Sequence, residues 1–221
     1  MRGPMRIVVV ASGELHPADA SRLEGAGGVI AADGGAASLD RLGRRPDLLV
    51  GDLDSADAAL VARLEADGVR VERHPADKDA SDTELAIERA IAAGATEVVV
   101  LGAIGGERLD HELANLLLLA DPALGGRDVR LVRGPTTVRV VRAGERLALE
   151  GARGDVVTLL PIGGDASGVT TGGLRWALAA ASLAMGRSRG LSNEVVGHPA
   201  SVSVEQGTLL VVETANEGAS S

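Results

Sequence analysis

The sequence has no cysteine, no phenylalanine and no tyrosine, and only one tryptophan, Trp176. Without cysteine there is neither a disulfide nor a thiolate metal centre, which fits a reducing cytoplasm. With almost no aromatic side chains, a core must be filled by Val, Leu, Ile and Ala, and Trp176 becomes conspicuous. Long apolar runs are missing too. The longest, WALAAASLAM at 176–185, falls far short of the ~20 residues that span a bilayer. IVVVA, after Arg2 and Arg6, is too short for a signal-peptide core and reads as a strand. Acidic residues outnumber basic ones 31 to 22, for a net charge of -9, and no basic cluster lies beside aromatics. Nucleic acid and membrane are therefore excluded as expected partners, and the expectation is a soluble, cytoplasmic protein. There is no GxxxxGK[ST], and no GxGxxG follows the first apolar run, so P-loop and dinucleotide-binding readings lose support.

What is present is a change of texture along 221 residues, 45% of them apolar, enough for one large domain or two small ones. Up to residue 134, short runs (IVVVAS, GVIAA, DLLVG, VRVER, EVVVLG, DVRLV) alternate with stretches of helical period. This predicts an α/β domain with a mainly parallel sheet. DAALVARLEADG and SDTELAIERAIAAG carry apolar residues at i, i+3, i+4 and i+7 and close on Gly68 and Gly94. Ser81 and Glu84 have the spacing of a capping box. From Pro135 the runs shorten and turn residues multiply, predicting an antiparallel all-β sandwich domain over 135–214, with a disordered tail over 215–221. The stretch 174–186 suits either helix or strand by composition, and its neighbours favour strand.

Ligands of an open α/β sheet bind beyond the carboxyl ends of its strands. Asp33 follows the second run, Asp52 and Asp54 the third, Asp79 and Asp82 the fourth, and Asp110 the fifth. Crowded carboxylates repel unless a cation neutralises them, and oxygen-only ligands favour Mg²⁺ or a similar hard ion. Gly34, Gly35, Gly51, Gly102, Gly105 and Gly106 lie among them, where backbone can approach phosphates closely. Arg108 is suited to neutralising phosphoryl oxygens. Each piece alone has a plainer reading: DGGA is a turn, Asp54 or Ser55 a helix cap, His111 a structural group, and Lys78 a solvated ion pair between Asp77 and Asp79. Their convergence carries the expectation of a Mg²⁺-nucleotide site.

Five ordered stretches, ADGGA (32–36), PDLLVGDLDS (46–55), DKDASDTELAI (77–87), GGERLDHELAN (105–115) and SNE (192–194), resemble the motifs of the thiamine pyrophosphokinase family. The resemblance extends over about residues 30–212. It implies a homodimer that transfers a diphosphate from ATP to the hydroxyl of thiamine, with AMP leaving. Carried over, it makes Asp52, Asp54 and Asp82 the metal carboxylates. The nucleotide side takes in Asp33, Gly34, Gly105, Arg108, His111 and Asn115. Asp82, Arg108 and Asp110 are the catalytic residues, with Asp82 and then Asp110 as candidates for the base. Trp176, Ser192 and Asn193 match thiamine-holding positions. Ser81 stands where the family commonly has Thr, and Glu107 lengthens the more usual GGR.DH.

Other readings share parts of this pattern. A haloacid-dehalogenase-like phosphatase also has DLDS after an apolar strand, but on its first strand rather than its third. A diphosphokinase acting on a pterin alcohol keeps the Mg²⁺-ATP half and changes the acceptor. A nucleotide-sensing module binds without turnover.

Overall fold

The computed structural model describes residues 5–54 and 56–216; Ser55 and tail residues 217–221 lie outside the described residues. Two compact units divide between Gly134 and Pro135.

In the first unit, strands β1 (Arg6–Val10), β2 (Gly28–Ala32), β3 (Leu48–Gly51), β4 (Arg70–Arg73), β5 (Glu97–Leu101) and β6 (Asp128–Arg133) form a parallel sheet in the order β4-β3-β2-β1-β5-β6. Its central strands are nearly continuous Val, Leu and Ile, the pattern of strands covered on both faces. Val8, Val9, Val10 and Leu49 are fully buried. Helices α1 (Gly35–Arg41), α2 (Ala58–Ala66), α3 (Asp82–Ala92) and α4 (Leu109–Leu118) connect the strands. Asp57 caps α2 by accepting from Ala59 N–H, and Ser81 Oγ caps α3 by accepting from Glu84 N–H at 3.1 Å. Gly68 and Gly94, at φ 82° and 95°, end α2 and α3 in the left-handed region. With no aromatics available, Leu39, Leu49, Leu60, Leu64 and Leu101 do the space-filling. Cutting Leu49 to Ala is expected to cost about 2–5 kcal/mol.

In the second unit, β7 (Thr136–Arg142), β8 (Arg146–Ala148), β9 (Val156–Gly172), β10 (Ala181–Leu183), β11 (Asn193–Glu194), β12 (Ser201–Ser203) and β13 (Gln206–Thr214) pair antiparallel. β9 serves both layers of a sandwich. Its first part pairs with β13, its last residues pair with β12, and Gly163 at φ 74° lies at the bend between them. Val157, Leu159, Val169, Val202, Leu209 and Val211 pack between the layers.

Two expectations need correction. Within 174–186 only Ala181–Leu183 is a strand, because Gly173 (φ 71°) and Ala180 (φ 47°) turn the chain through a loop that alternation alone does not reveal. Ala215 and Asn216 are ordered rather than tail: their N–H groups donate to Pro135 O and to Asp155 Oδ1, each at 2.9 Å. Among the described residues no helix is long and apolar enough to cross a membrane.

Candidate active site

The acidic residues gather where the parallel strands end. Asp33 continues the ladder one residue past β2, donating its N–H to Val50 O at 2.8 Å, and its φ of 43° then turns the chain into α1. Asp52 follows β3, and Asp82 opens α3. One carboxylate oxygen from each of these three lies within 4.8 Å of the others, with Asp33 buried and the other two half-buried. Gly51 makes the approach possible. A Cβ there would lie 3.1 Å from Asp33 Cβ and 3.1 Å from Asp82 Oδ1, and its φ of 152° disfavours any side chain.

Lys78 Nζ stands 3.3 Å from Asp52 Oδ2 and 3.1 Å from Asp82 Oδ1, with its side chain only 14% exposed. It is thus an internal counter-cation of the cluster, and the reading of Lys78 as a solvated pair with its sequence neighbours is corrected. The Asp54 N–H, donated to Asp52 Oδ1 at 3.2 Å, and next the Lys78 ammonium hold the Asp52 carboxyl below its ordinary value. Burial opposes the charge on Lys78, but its pairing with Asp82 and Asp52 outweighs that and raises its pKa. Three carboxylates with one ammonium beside them make an all-oxygen donor set, the chemistry that suits a hard divalent cation. Asp54 is exposed and outside this group. Leu53, at φ 62°, closes a turn in which Asp52 Oδ1 accepts from the backbone N–H of Asp54.

The loop after β5 crosses the same sheet edge. Gly13 N–H donates to Gly102 O at 2.9 Å, and a Cβ on Gly13 would overlap that carbonyl, so the loops after β1 and β5 run in close contact. Buried Asn115 on α4 donates from Nδ2 to Ala103 O at 2.9 Å and anchors this loop. That bond makes Asn115 a support of the loop. Arg108 and Asp110 form a two-pronged ion pair at 2.9 and 2.6 Å, both about two-thirds exposed. The guanidinium hydrogen bonds hold Asp110 well below the usual carboxylate range and raise Arg108. His111 is exposed beside them. Gly34 N–H donates to Ser12 Oγ at 3.1 Å, and Gly105, at φ 77°, packs on the Arg133 guanidinium.

In the second unit Trp176 is 58% exposed and so is no core filler, with Arg175 Cζ 5.3 Å from its ring centre. Asn193 is buried behind it and mimics a peptide: Oδ1 accepts from Trp176 N–H at 3.0 Å, and Nδ2 donates to Trp176 O at 2.8 Å. Both ends of its amide are engaged with that backbone, so Asn193 positions the tryptophan. Ser192 is exposed at φ 54°, and its N–H donates to Thr158 Oγ1 at 3.0 Å.

The structure brings together Asp33, Asp52 and Asp82 in one unit and Trp176 and Asn193 in the other. Sequence reasoning missed the bridging position of Lys78 and gave Arg133 no role; neither belongs to a recognisable motif, and only the fold reveals their neighbours.

Two family models match the chain: thiamin pyrophosphokinase, catalytic domain, over residues 21–130, and thiamin pyrophosphokinase, vitamin B1 binding domain, over residues 145–209. A thiamine pyrophosphokinase of Bacillus subtilis (strain 168) is 24% identical over 185 residues, covering 84% of this chain and 86% of its own. The crystal structure of a thiamin pyrophosphokinase from Geobacillus thermodenitrificans is similar at TM-score 0.79 and 27% identity, over 97% of this chain and 99% of that one. The thiamin pyrophosphokinase from Candida albicans, at TM-score 0.80, 16% identity, and 96% and 89% coverage, shares the fold. Matched in both of its domains and in its fold, the chain belongs to the thiamin pyrophosphokinase family.

Proposed function

We propose that the protein transfers the terminal diphosphate of ATP to the hydroxyl of thiamine, giving thiamine diphosphate and AMP. The observation that carries this reading is the convergence of Asp33, Asp52 and Asp82 within 4.8 Å at the strand ends, in a chain of this family. Asp33, Asp52 and Asp82 are the residues that would hold Mg²⁺, with Lys78 next to them. When bound, Mg²⁺ supplies neutralisation of phosphate oxygens and orientation of the polyphosphate.

The remaining chemistry belongs to the chain. The thiamine hydroxyl oxygen attacks the β-phosphorus in line, the bond from that phosphorus to the α-phosphate oxygen breaks, and AMP leaves with the electron pair. Asp82 is our choice to take the hydroxyl proton. Asp110, held below the usual range by Arg108, is the weaker base. Arg108 bears charge suited to the phosphoryl oxygens, and positioning and electrostatics carry most of such a transfer. Trp176, fixed from behind by Asn193, offers a ring face to the flat pyrimidine and cationic thiazolium of thiamine. A homodimer and a cytoplasmic location belong to the same reading.

The test is acceptor-dependent release of AMP from Mg²⁺-ATP, run with thiamine and, separately, with a hydroxymethylpterin. AMP formed with thiamine alone is the expected result. Inorganic phosphate as product would indicate a phosphatase, no turnover a sensing module, and AMP with the pterin alone a different acceptor.

A further inference from the structure

Arg133 ends β6, at the same sheet edge as the acidic cluster. Among the described residues its guanidinium has neither a hydrogen bond nor an ion pair, and its Nε is buried. A buried donor atom without an acceptor, here on a half-buried arginine, is costly, and an anion would relieve it. The other described cations here are engaged: Lys78 with Asp52 and Asp82, Arg108 with Asp110, and Arg73 with Glu65. A polyphosphate brings several negative charges to an edge already crowded with carboxylates, and Arg133 is the cation available to receive one of them.

The glycine loop shapes the place. Gly105, in the left-handed region, lies directly on the guanidinium: a Cβ there would come within 2.5 Å of Arg133 Cζ. Gly106 reaches the other way, where a Cβ would sit 3.8 Å from Gly13 Cα beyond β1. The loop therefore spans from β1 to β6 with the guanidinium beneath one end. Along β3-β2-β1-β5-β6, at ~4.8 Å per strand, the base of Arg133 is about 14 Å from the end of β2, which Asp33 follows, and about 19 Å from that of β3, which Asp52 follows, a gap that the long arginine side chain narrows from its own end.

We propose that Arg133 binds the α-phosphate of the nucleotide, the group that departs as AMP. This rests on the nucleotide reading above. The transferring diphosphate belongs at the carboxylate cluster, so the nucleoside end runs across β1 toward β6, and the α-phosphate meets the guanidinium on the way. Arginine suits this contact because its planar fork can engage two phosphate oxygens while lying flat against the Gly105 backbone. As the bond to the β-phosphorus breaks, negative charge grows on the α-phosphate, and a guanidinium already in position stabilises it.

The test is calorimetric titration of AMP and of adenosine into the full chain with Mg²⁺, for the wild type, Arg133→Met and Arg133→Lys. The assignment predicts that Arg133→Met weakens AMP by at least about tenfold and leaves adenosine affinity and the ligand-free thermal midpoint unchanged. Arg133→Lys, which keeps the charge and loses the fork, falls between. If AMP and adenosine weaken equally, Arg133 only supports the Gly105 loop and the assignment is overturned; unchanged AMP affinity in the Met variant overturns it as well. A wild type that binds no adenine nucleotide overturns the nucleotide reading together with this one, whereas AMP binding that ignores Arg133 overturns this one alone.

Discussion

Lys78 Nζ lies 3.3 Å from Asp52 Oδ2, so the only lysine of the chain already neutralises part of the carboxylate cluster from within. Its ammonium competes with any metal ion held by Asp52 and Asp82. Replacing it by Met removes that competitor, and at an effective dielectric constant near 20 each nearby unit charge is worth a few kcal/mol. Lys78→Met should therefore tighten Mg²⁺ binding to the nucleotide-free protein by at least about tenfold in calorimetric titration, and lower the thermal midpoint without metal. Weaker Mg²⁺ binding would mean that Lys78 organises the carboxylates instead.

The geometry separates carboxylates that look alike in DLDS and its surroundings. Asp82→Asn and Asp52→Asn should each lower turnover by about a hundredfold or more, because an amide is a poor ligand for a hard cation and leaves phosphate charge uncompensated. Asp54, exposed and outside the group, should lose at most a small factor as Asn. Equal losses at Asp54 and Asp82 would return Asp54 to the metal site.

Trp176 is 58% exposed, so Trp176→Leu should leave stability within about 0.5 kcal/mol of the wild type. A cation over an indole face is worth up to ~2 kcal/mol when partly desolvated, so the thiamine Michaelis constant should rise roughly tenfold to thirtyfold, with that of ATP unchanged. Thiamine should also quench the intrinsic fluorescence, all of which comes from this residue. A variant that loses stability and keeps its thiamine affinity would assign Trp176 to packing.

On β4, Glu72 pairs with Arg89 and with Arg70, each at 2.6 Å. Arg89 is the main cause that holds the Glu72 carboxyl below its ordinary value. A lowered carboxyl favours the folded state above the unfolded value, near pH 4.3, and loses that contribution as pH falls through the folded value. Arg89→Met should cost about 0.5–1 kcal/mol near pH 7, modest because Arg89 is a third exposed, and the difference should vanish near pH 2. Denaturant unfolding of both proteins at the two pH values measures it.

The parallel sheet was legible because buried strands of Val, Leu and Ile alternate with periodic, capped helices, and Asp33, Asp52 and Asp82 were legible because strand ends have a fixed place in such a fold. Helix α1 was not, since seven residues are too few to show a helical period. The place of Asp54 outside the three-carboxylate group was not legible, because spacing along the chain does not report the left-handed turn at Leu53. Lys78 looked solvated beside Asp77 and Asp79, and only the approach of α3 to β3 encloses it between Asp52 and Asp82. The hydrogen bonds of Asn115 and Asn193 go to backbone carbonyls and N–H groups, which carry no sequence signature.

If two phosphoryl groups move together from ATP to thiamine, single-turnover reactions with ATP radiolabelled in turn at the α, β and γ phosphorus put β and γ label together in thiamine diphosphate and leave α label in AMP, one AMP per thiamine consumed. Label from the γ position alone in thiamine monophosphate, with ADP as the partner product, or γ label released as inorganic phosphate, would contradict that transfer.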